Sequence, residues 1–141
     1  MPVISSAIKF VGKSLPKVIS PEAHAIADYA TAALFLVGAG LFWKQSKRAA
    51  VACLICGAAE TAVAALTDYP GGIKHAISFP LHRKIDFGLS SMAATMPEFL
   101  AFEEEKEKGF FRMQSAVIAG ATALTEFEPQ RIPGVRERRA A

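Results

Sequence analysis

Apolar residues in this chain fall into four long segments, which are separated by short polar or Pro/Gly-rich connections. The segments cover residues 23–43, 49–66, 82–102 and 110–127. Within the first two, the carboxylates and histidine are limited to His24, Asp28 and Glu60. Helices of these lengths, at ~1.5 Å rise per residue, nearly match a hydrocarbon layer of ~30 Å. The pattern therefore predicts four transmembrane helices.

The connections predict how the helices pair. Residues 44–48 join the first two segments and residues 103–108 join the last two, and both connections are short and polar. Short connections place consecutive helices side by side and antiparallel. Between the pairs, Tyr69-Pro70-Gly71-Gly72 and the stretch up to Pro80 interrupt any helix. We expect an all-α fold, a four-transmembrane-helix bundle made of two tandem helical hairpins.

The two hairpins look like copies of one unit. A shift of 58 residues places His24 on His82 and Asp28 on Asp86, and it also aligns residues 66–69 with residues 124–127. Matches at both ends of the hairpin under one offset indicate an internal duplication. Two-helix repeats enter a bilayer from the same side, as parallel repeats. One end of the bundle should therefore gather six side chains: His24, Asp28, Asp68, His82, Asp86 and Glu126.

These boundaries divide the chain into three parts. Residues 1–18 form an N-terminal segment in which Lys9, Lys13 and Lys17 are spaced four apart, opposite apolar residues at helical spacing. Such a segment is typical of an amphipathic helix on the membrane surface. Residues 19–129 form the four-helix membrane domain, with repeat one at 19–70 and repeat two at 77–129. Residues 130–141 form a basic C-terminal tail.

The distribution of charge predicts which side of the membrane the termini occupy, and it argues against nucleic acid as a partner. The net charge is +3 and the pI about 9.0, yet the basic residues are not interleaved with aromatic residues on one stripe, so we expect no nucleic-acid binding. Ten basic residues lie on the side of the termini and six on the side of the hairpin turns. The positive-inside rule then places the termini in the cytoplasm.

Cys53 and Cys56 lack a second cysteine pair and are interpreted as small buried apolar residues.

The paired His-x-x-x-Asp patterns, His24 with Asp28 and His82 with Asp86, each open a hairpin. Ten residues after each aspartate stand Gly38-Ala39-Gly40 and Met96-Pro97-Glu98, followed by aromatic-rich helix ends. These features resemble bacterial membrane proteins of the Ser-Pro-Trp (SPW) repeat type, whose two-helix unit begins with His-x-x-x-Asp. Of the Ser-Pro-Trp signature itself, Pro97 is present. The resemblance implies the two-hairpin architecture and a bacterial inner membrane, and it implies no reaction.

The His-x-x-x-Asp spacing places an imidazole and a carboxylate one turn apart on one helix face. A carboxylate facing lipid is costly, so Asp28 and Asp86 should point into the bundle. We favour a structural interpretation, in which each aspartate orients its histidine, no cofactor is bound, and the network is completed by four further residues near the helix ends. These are Thr67, Asp68, Thr125 and Glu126.

Two alternatives remain open for the same residues. The six polar side chains provide a ligand set for zinc or non-haem iron, and His24 with His82 would suit a haem held from both faces. Both sites require the two histidines to face each other. The second alternative is a proton or ion path, for which Glu60 and Glu98 are the further acidic candidates.

No motif in the chain specifies a reaction. Ser90 and Ser91 fit close helix packing, and Gly71-Gly72 belongs to a turn without the Gly-Lys-Ser of a phosphate-binding loop. We therefore expect a non-enzymatic structural or partner-binding component of the bacterial inner (cytoplasmic) membrane. Its partners would be the lipid bilayer, other membrane subunits or a second copy. The alternative function is a metal- or haem-binding redox protein, and the alternative fold is a soluble four-helix bundle.

Overall fold

The structure, a computed structural model, describes residues 15–127, and this part of the chain contains four α-helices and no β-strand. They are α1 (Pro21–Phe42), α2 (Lys47–Leu66), α3 (Phe79–Phe99) and α4 (Lys108–Leu124). The predicted all-α class is confirmed. Most of the predicted amphipathic segment, and the whole basic tail, lie outside the described residues.

Helices α1 and α3 begin in the same way. Ser20 precedes α1 and Ser78 precedes α3, and each serine hydroxyl accepts a hydrogen bond from the backbone N–H three residues later. A proline stands in the first turn of each helix, where its missing N–H needs no partner. Because Ser78 supplies the cap, α3 begins three residues before the predicted start at His82.

The C-terminal ends of α3 and α4 are shorter than predicted. Helix α3 ends at Phe99 instead of Phe102, and Ala101, at φ 55°, then turns the chain out of the helical direction. Helix α4 ends at Leu124 because Thr125 adopts an extended conformation and pairs with Ile19. Residue 126 therefore lies beyond the end of α4, whereas the predicted segment 110–127 placed it in the last turn; residue 68 follows α2, which ends at Leu66 as predicted.

Both predicted hairpins form, with α1 packed along α2 and α3 along α4. The hairpins meet through α2 with α3 and through α1 with α4, and these pairs of helices pack less extensively than those within a hairpin. Glycine permits the closest approach within the first hairpin. A Cβ on Gly57 would lie 2.9 Å from Leu36 Cδ2 and 3.2 Å from Phe35 Cβ. The backbone of α2 can approach α1 this closely only because residue 57 has no side chain.

The two ends of the bundle differ in character. The middle and the hairpin-turn end hold the main apolar cluster, which includes Phe35, Phe102 and Phe111. Cys53 and Cys56 are buried in the same cluster, in agreement with their interpretation as small apolar residues. The opposite end holds a smaller apolar cluster and most of the buried polar side chains. We call this opposite end, where α1 and α3 begin, the polar pole.

Backbone hydrogen bonds at the polar pole repeat with the 58-residue offset. The N–H of Ile19 donates to Leu124 O (3.0 Å), and the N–H of Ile77 donates to Leu66 O (2.9 Å). In return, Ile19 O accepts from the N–H of residue 126 and Ile77 O accepts from the N–H of residue 68. The chain before each hairpin is thus paired with the chain that follows a helix: α4 for the first hairpin and α2 for the second.

Two of the four helices, α1 and α2, are long and apolar enough to cross a membrane by length and composition. Helix α4 has 17 residues, and the first eight residues of α3 contain Arg83, Lys84 and Asp86. Within residues 15–127, helix length and hydropathy therefore support two of the four predicted membrane spans.

We expect Gly57→Val to destabilise the protein by about 1–3 kcal/mol, because the new side chain would meet Leu36 and Phe35 in a packed interface. The measurement is thermal unfolding followed by circular dichroism in detergent. Gly40→Val is the matched control, since a Cβ at Gly40 meets nothing within 4 Å. Equal losses from the two variants would contradict the close α1–α2 contact.

Candidate functional site

Four ionisable side chains meet at the polar pole. His24 and Asp28 lie one turn apart on α1, and His82 and Asp86 lie one turn apart on α3. All four are buried, with Asp28 the most exposed at 7%. The structure therefore brings together the two His-x-x-x-Asp pairs, one from each hairpin, which we call the His/Asp cluster.

The ring nitrogens face each other at the centre of the cluster. Nε2 of His24 lies 3.2 Å from Nε2 of His82. Nε2 of His24 also lies 3.0 Å from Oδ2 of Asp86 and 3.4 Å from Oδ1 of Asp28. Nε2 of His82 lies 3.0 Å from Oδ1 of Asp86 and 3.2 Å from Oδ2 of Asp28. Each imidazole thus contacts the carboxylates of both hairpins.

The outer ring nitrogens are held by two threonines at the ends of α2 and α4. Thr67 Oγ1 lies 2.7 Å from Nδ1 of His82, and Thr125 Oγ1 lies 2.7 Å from Nδ1 of His24. Each hydroxyl donates its single proton to the carbonyl oxygen four residues earlier, at 2.6 Å. The hydroxyl oxygen must then accept a hydrogen bond from Nδ1–H. This network assigns a proton to Nδ1 of both histidines, and both Nε2 atoms face the cluster.

Each carboxylate also has one hydroxyl partner. The Tyr69 hydroxyl donates to Oδ2 of Asp28 (2.8 Å). Thr122 Oγ1 lies 3.0 Å from Oδ2 of Asp86 and 2.8 Å from Ile118 O, and its one proton serves either acceptor. Burial, and next the negative charge of Asp28, raise the pKa of Tyr69 above its ordinary value. Tyr69 therefore remains a protonated donor.

Aromatic rings cover the cluster. Phe127 contacts the ring of His24 edge-on at 5.2 Å between centroids, and Tyr69 lies 5.4 Å from the ring of His82. Phe79 lies 4.5 Å from Phe127 and closes the gap between them. A cluster enclosed by apolar rings has few water molecules to screen its charges, so its electrostatic interactions are strong.

Two of the six predicted ligands, Asp68 and Glu126, lie outside the cluster. Asp68 is on the surface, where Oδ1 lies 2.8 Å from Nδ1 of His75. Residue 126 follows α4, and its backbone N–H pairs with Ile19 O. Of the six predicted ligands, the structure brings four within 4.8 Å of one another: His24, Asp28, His82 and Asp86. The threonines named beside them, Thr67 and Thr125, do bond the histidines as the structural interpretation expects.

The predicted haem site does not fit this geometry. A haem needs one imidazole on each face of the porphyrin, with the two nitrogens about 4 Å apart, since each metal–nitrogen bond is ~2 Å long. Here Nε2 of His24 and Nε2 of His82 are 3.2 Å apart, and Asp28 and Asp86 occupy the space around them. No porphyrin plane can pass between the rings.

The acidic residues suggested for a proton path lie in two different environments. Glu98 is on the surface, 3.4 Å from Arg112. Glu60 is buried, and its Oε1 has no hydrogen-bond partner among the described residues. Gln114 is also buried, and both polar atoms of its side chain are without partners in the same part of the chain. Glu60 therefore belongs to the bundle interior and Glu98 does not.

Sequence reasoning missed Tyr69 and Thr122 as partners of the carboxylates. With the 58-residue offset, Tyr69 corresponds to Phe127 and Thr122 corresponds to Ala64. A comparison of equivalent positions in the two halves cannot find these hydroxyl donors, because neither Tyr69 nor Thr122 has a hydroxyl-bearing counterpart in the other half. The detectable signal is the pair of threonines at positions 67 and 125, which the offset does match.

Comparison with protein-family models, with curated proteins and with solved structures gives no match to this chain. Function is therefore inferred from the geometry of the site and from the distribution of polar and apolar side chains.

We expect Thr67→Val and Thr125→Val each to destabilise the protein by about 1–3 kcal/mol, because each leaves a buried Nδ1–H without an acceptor. Thermal unfolding in detergent measures the loss. Thr95→Val is the matched control, since exposed Thr95 bonds only backbone carbonyl oxygens of its own helix. If Thr95→Val costs as much as the other two, the threonine–histidine bonds contribute nothing.

Proposed function

We propose that this chain is a small integral membrane protein with four transmembrane helices, built from a duplicated hairpin. It acts as a non-enzymatic structural or partner-binding component of the bacterial inner membrane. The observation that supports this most strongly is the distribution of polarity, because the charged side chains between the helix ends and several polar ones are buried, while large apolar side chains cover the surface.

Each of the four helices has buried polar side chains on the face that points into the bundle. Besides the His/Asp cluster, the buried polar side chains within the helices include Thr31, Glu60, Ser90, Gln114 and Thr122. Apart from the buried Asp28, Glu60 and Asp86, every Asp, Glu, Lys and Arg in the four helices lies in the first two turns or the last turn. The outer surface between the helix ends is thus free of charge.

Large apolar side chains are exposed on all four helices. On α1, Ile26 is 72% exposed, Val37 57% and Leu41 64%. Val51, Leu54 and Ile55 on α2 and Met113 and Val117 on α4 are exposed too, as is Phe99 on α3. In water such a surface would favour aggregation, whereas in a bilayer it contacts lipid chains of the same polarity.

Helix lengths agree with this placement. Helices α1, α2 and α3 are ~33, ~30 and ~32 Å long and α4 is ~26 Å, against a hydrocarbon layer of ~30 Å. Arg83 and Lys84 lie at the polar pole, where long basic side chains reach the headgroups. Four spans are part of the proposal, as is the SPW resemblance.

Small residues and buried polar contacts account for a structural role. Membrane helices associate through close packing at small residues and through interhelical hydrogen bonds, since lipid provides no hydrophobic driving force between them. Gly57 allows the first kind of contact within a hairpin, and the His/Asp cluster supplies the second kind between hairpins. The outer apolar faces are then available to lipid, to other membrane subunits or to a second copy.

We expect Val37→Arg to reduce the amount of protein in the membrane fraction, because Val37 lies on the exposed face of α1 more than one turn from the helix end, and a charge on a lipid-facing helix costs up to about 2.5–3.5 kcal/mol on insertion. Ile73→Arg is the control, since Ile73 is 82% exposed and lies in the connection between hairpins, outside the helices. The measurement is the yield that resists alkaline extraction of membranes. The proposal would be refuted if the native protein is soluble and the yield of Val37→Arg is no lower than that of the native protein.

Sidedness has its own test. We expect Gln45→Cys, in an exposed hairpin turn, to react with a membrane-impermeant maleimide in intact cells. Lys74→Cys, exposed at the polar pole, should react only after the membrane is broken, because the proposal places that pole in the cytoplasm. The native Cys53 and Cys56 are buried and give a low background. The reverse labelling pattern would invert the topology.

A further inference from the structure

We propose that the His/Asp cluster binds one divalent transition-metal ion, zinc in the first instance, through Nε2 of His24, Nε2 of His82 and the carboxylates of Asp28 and Asp86. This goes beyond the proposed membrane role, because it assigns a ligand to the contact between the hairpins. Three properties of the cluster support it: the tautomers, the charge and the donor spacing.

The tautomers direct lone pairs to the centre. Thr67 and Thr125 donate their protons to backbone carbonyl oxygens, so each accepts from the Nδ1–H of a histidine. A neutral imidazole with its proton on Nδ1 carries a lone pair on Nε2. In that protonation state the two Nε2 lone pairs and the carboxylate oxygens point at one region, and a cation there would replace the proton that His24 Nε2 shares with Oδ2 of Asp86. Four donor groups in this arrangement attract a cation.

The charge of the cluster matches a divalent ion. With neutral imidazoles, Asp28 and Asp86 leave a net charge of minus two in a buried site. The hydroxyls of Tyr69 and Thr122 both bond Oδ2 atoms. Oδ1 of Asp86, also buried, has no hydrogen bond of acceptable geometry, although it lies 3.0 Å from Nε2 of His82. A buried anionic oxygen without a bonded partner is costly, and a cation at the centre would remove that cost.

Donor spacing has the value expected for ligands of one ion. Zinc binds imidazole nitrogen and carboxylate oxygen at about 2.0–2.1 Å, which separates neighbouring donors of a tetrahedron by about 3.3 Å. The contacts that the two Nε2 atoms make with each other and with the nearer oxygen of each aspartate range from 3.0 to 3.4 Å, and each aspartate presents one oxygen to His24 and the other to His82. All four residues offer donor atoms within 4.8 Å of one another.

A cluster held by protons alone has a disadvantage. A proton on one Nε2 can be donated to the other Nε2, 3.2 Å away, or to a carboxylate oxygen, so it cannot satisfy all the facing acceptors at once. A single metal ion can accept the lone pairs of both Nε2 atoms and of a carboxylate oxygen from each aspartate, and it turns the same contact into shared ligation.

The donor set also selects the class of ion and its role. Two imidazoles and two carboxylates suit zinc and related first-row ions, whereas magnesium and calcium prefer oxygen ligands alone. Four protein ligands complete a tetrahedron, as in structural zinc sites. Each hairpin supplies one histidine and one aspartate, so the ion would fasten the hairpins together.

The first experiment measures metal in the full-length protein, purified in detergent without chelators, by mass spectrometry of the elements. We expect one zinc ion per chain, and a lower melting temperature after EDTA treatment, because a ligand that binds the folded state stabilises it. Added zinc should restore the melting temperature, and added magnesium should not. Folded protein that neither contains zinc nor responds to it would overturn the proposal.

Substitutions then locate the ion. Asp28→Asn with Asp86→Asn should remove stoichiometric zinc, and Asp68→Asn, at an exposed aspartate outside the cluster, should retain it. Tyr69→Phe keeps all four ligands but loses the hydroxyl on Asp28, and it should weaken zinc binding about 10- to 100-fold.

Tyr69→Phe also covers the case in which the aspartate variants fail to fold, since it can be titrated with zinc beside the native protein. If the double variant Asp28→Asn with Asp86→Asn folds and still contains one zinc ion per chain, the assignment is refuted. So would unchanged zinc affinity in Tyr69→Phe.

Discussion

The structure depends on the contact between the imidazoles of His24 and His82 at the polar pole. Each histidine belongs to one hairpin and is held at Nδ1 by a threonine of the other, Thr125 for His24 and Thr67 for His82. The helices of different hairpins pack against each other less extensively than the helices within each hairpin. The relative position of the two hairpins is therefore fixed mainly where these side chains and the adjoining backbone bonds cross between them.

This contact is specific because it is costly to break. A buried imidazole or carboxylate that loses its partner is left in a medium that cannot replace the hydrogen bond, and the loss is larger than the net gain from forming it. A rotation of α3 about its axis by one residue would move His82 and Asp86 out of the cluster together. An apolar interface of small residues alone would tolerate such a shift more easily.

The two halves satisfy one chemical requirement in different ways. The histidine–threonine bonds repeat with the offset, but the hydroxyl donor to each carboxylate does not: Tyr69 serves Asp28, and Thr122 serves Asp86. Position 127 holds a phenylalanine that packs on the ring of His24. The requirement for one donor per buried carboxylate is thus met in both halves, while the position that supplies the donor differs.

The sequence alone determined the four helices, their pairing into hairpins and the convergence of the two His-x-x-x-Asp pairs, since segment length, turn chemistry and spacing along a helix are local properties. Tertiary structure decided the rest. Thr125 leaves the helix because Ile19, more than a hundred residues away, supplies its backbone partner, and this places residue 126 outside the cluster. The 3.2 Å between the histidines, which excludes a haem, depends on how two hairpins dock. No local pattern encodes that docking, because it is set by the rotation and level of each helix relative to the others.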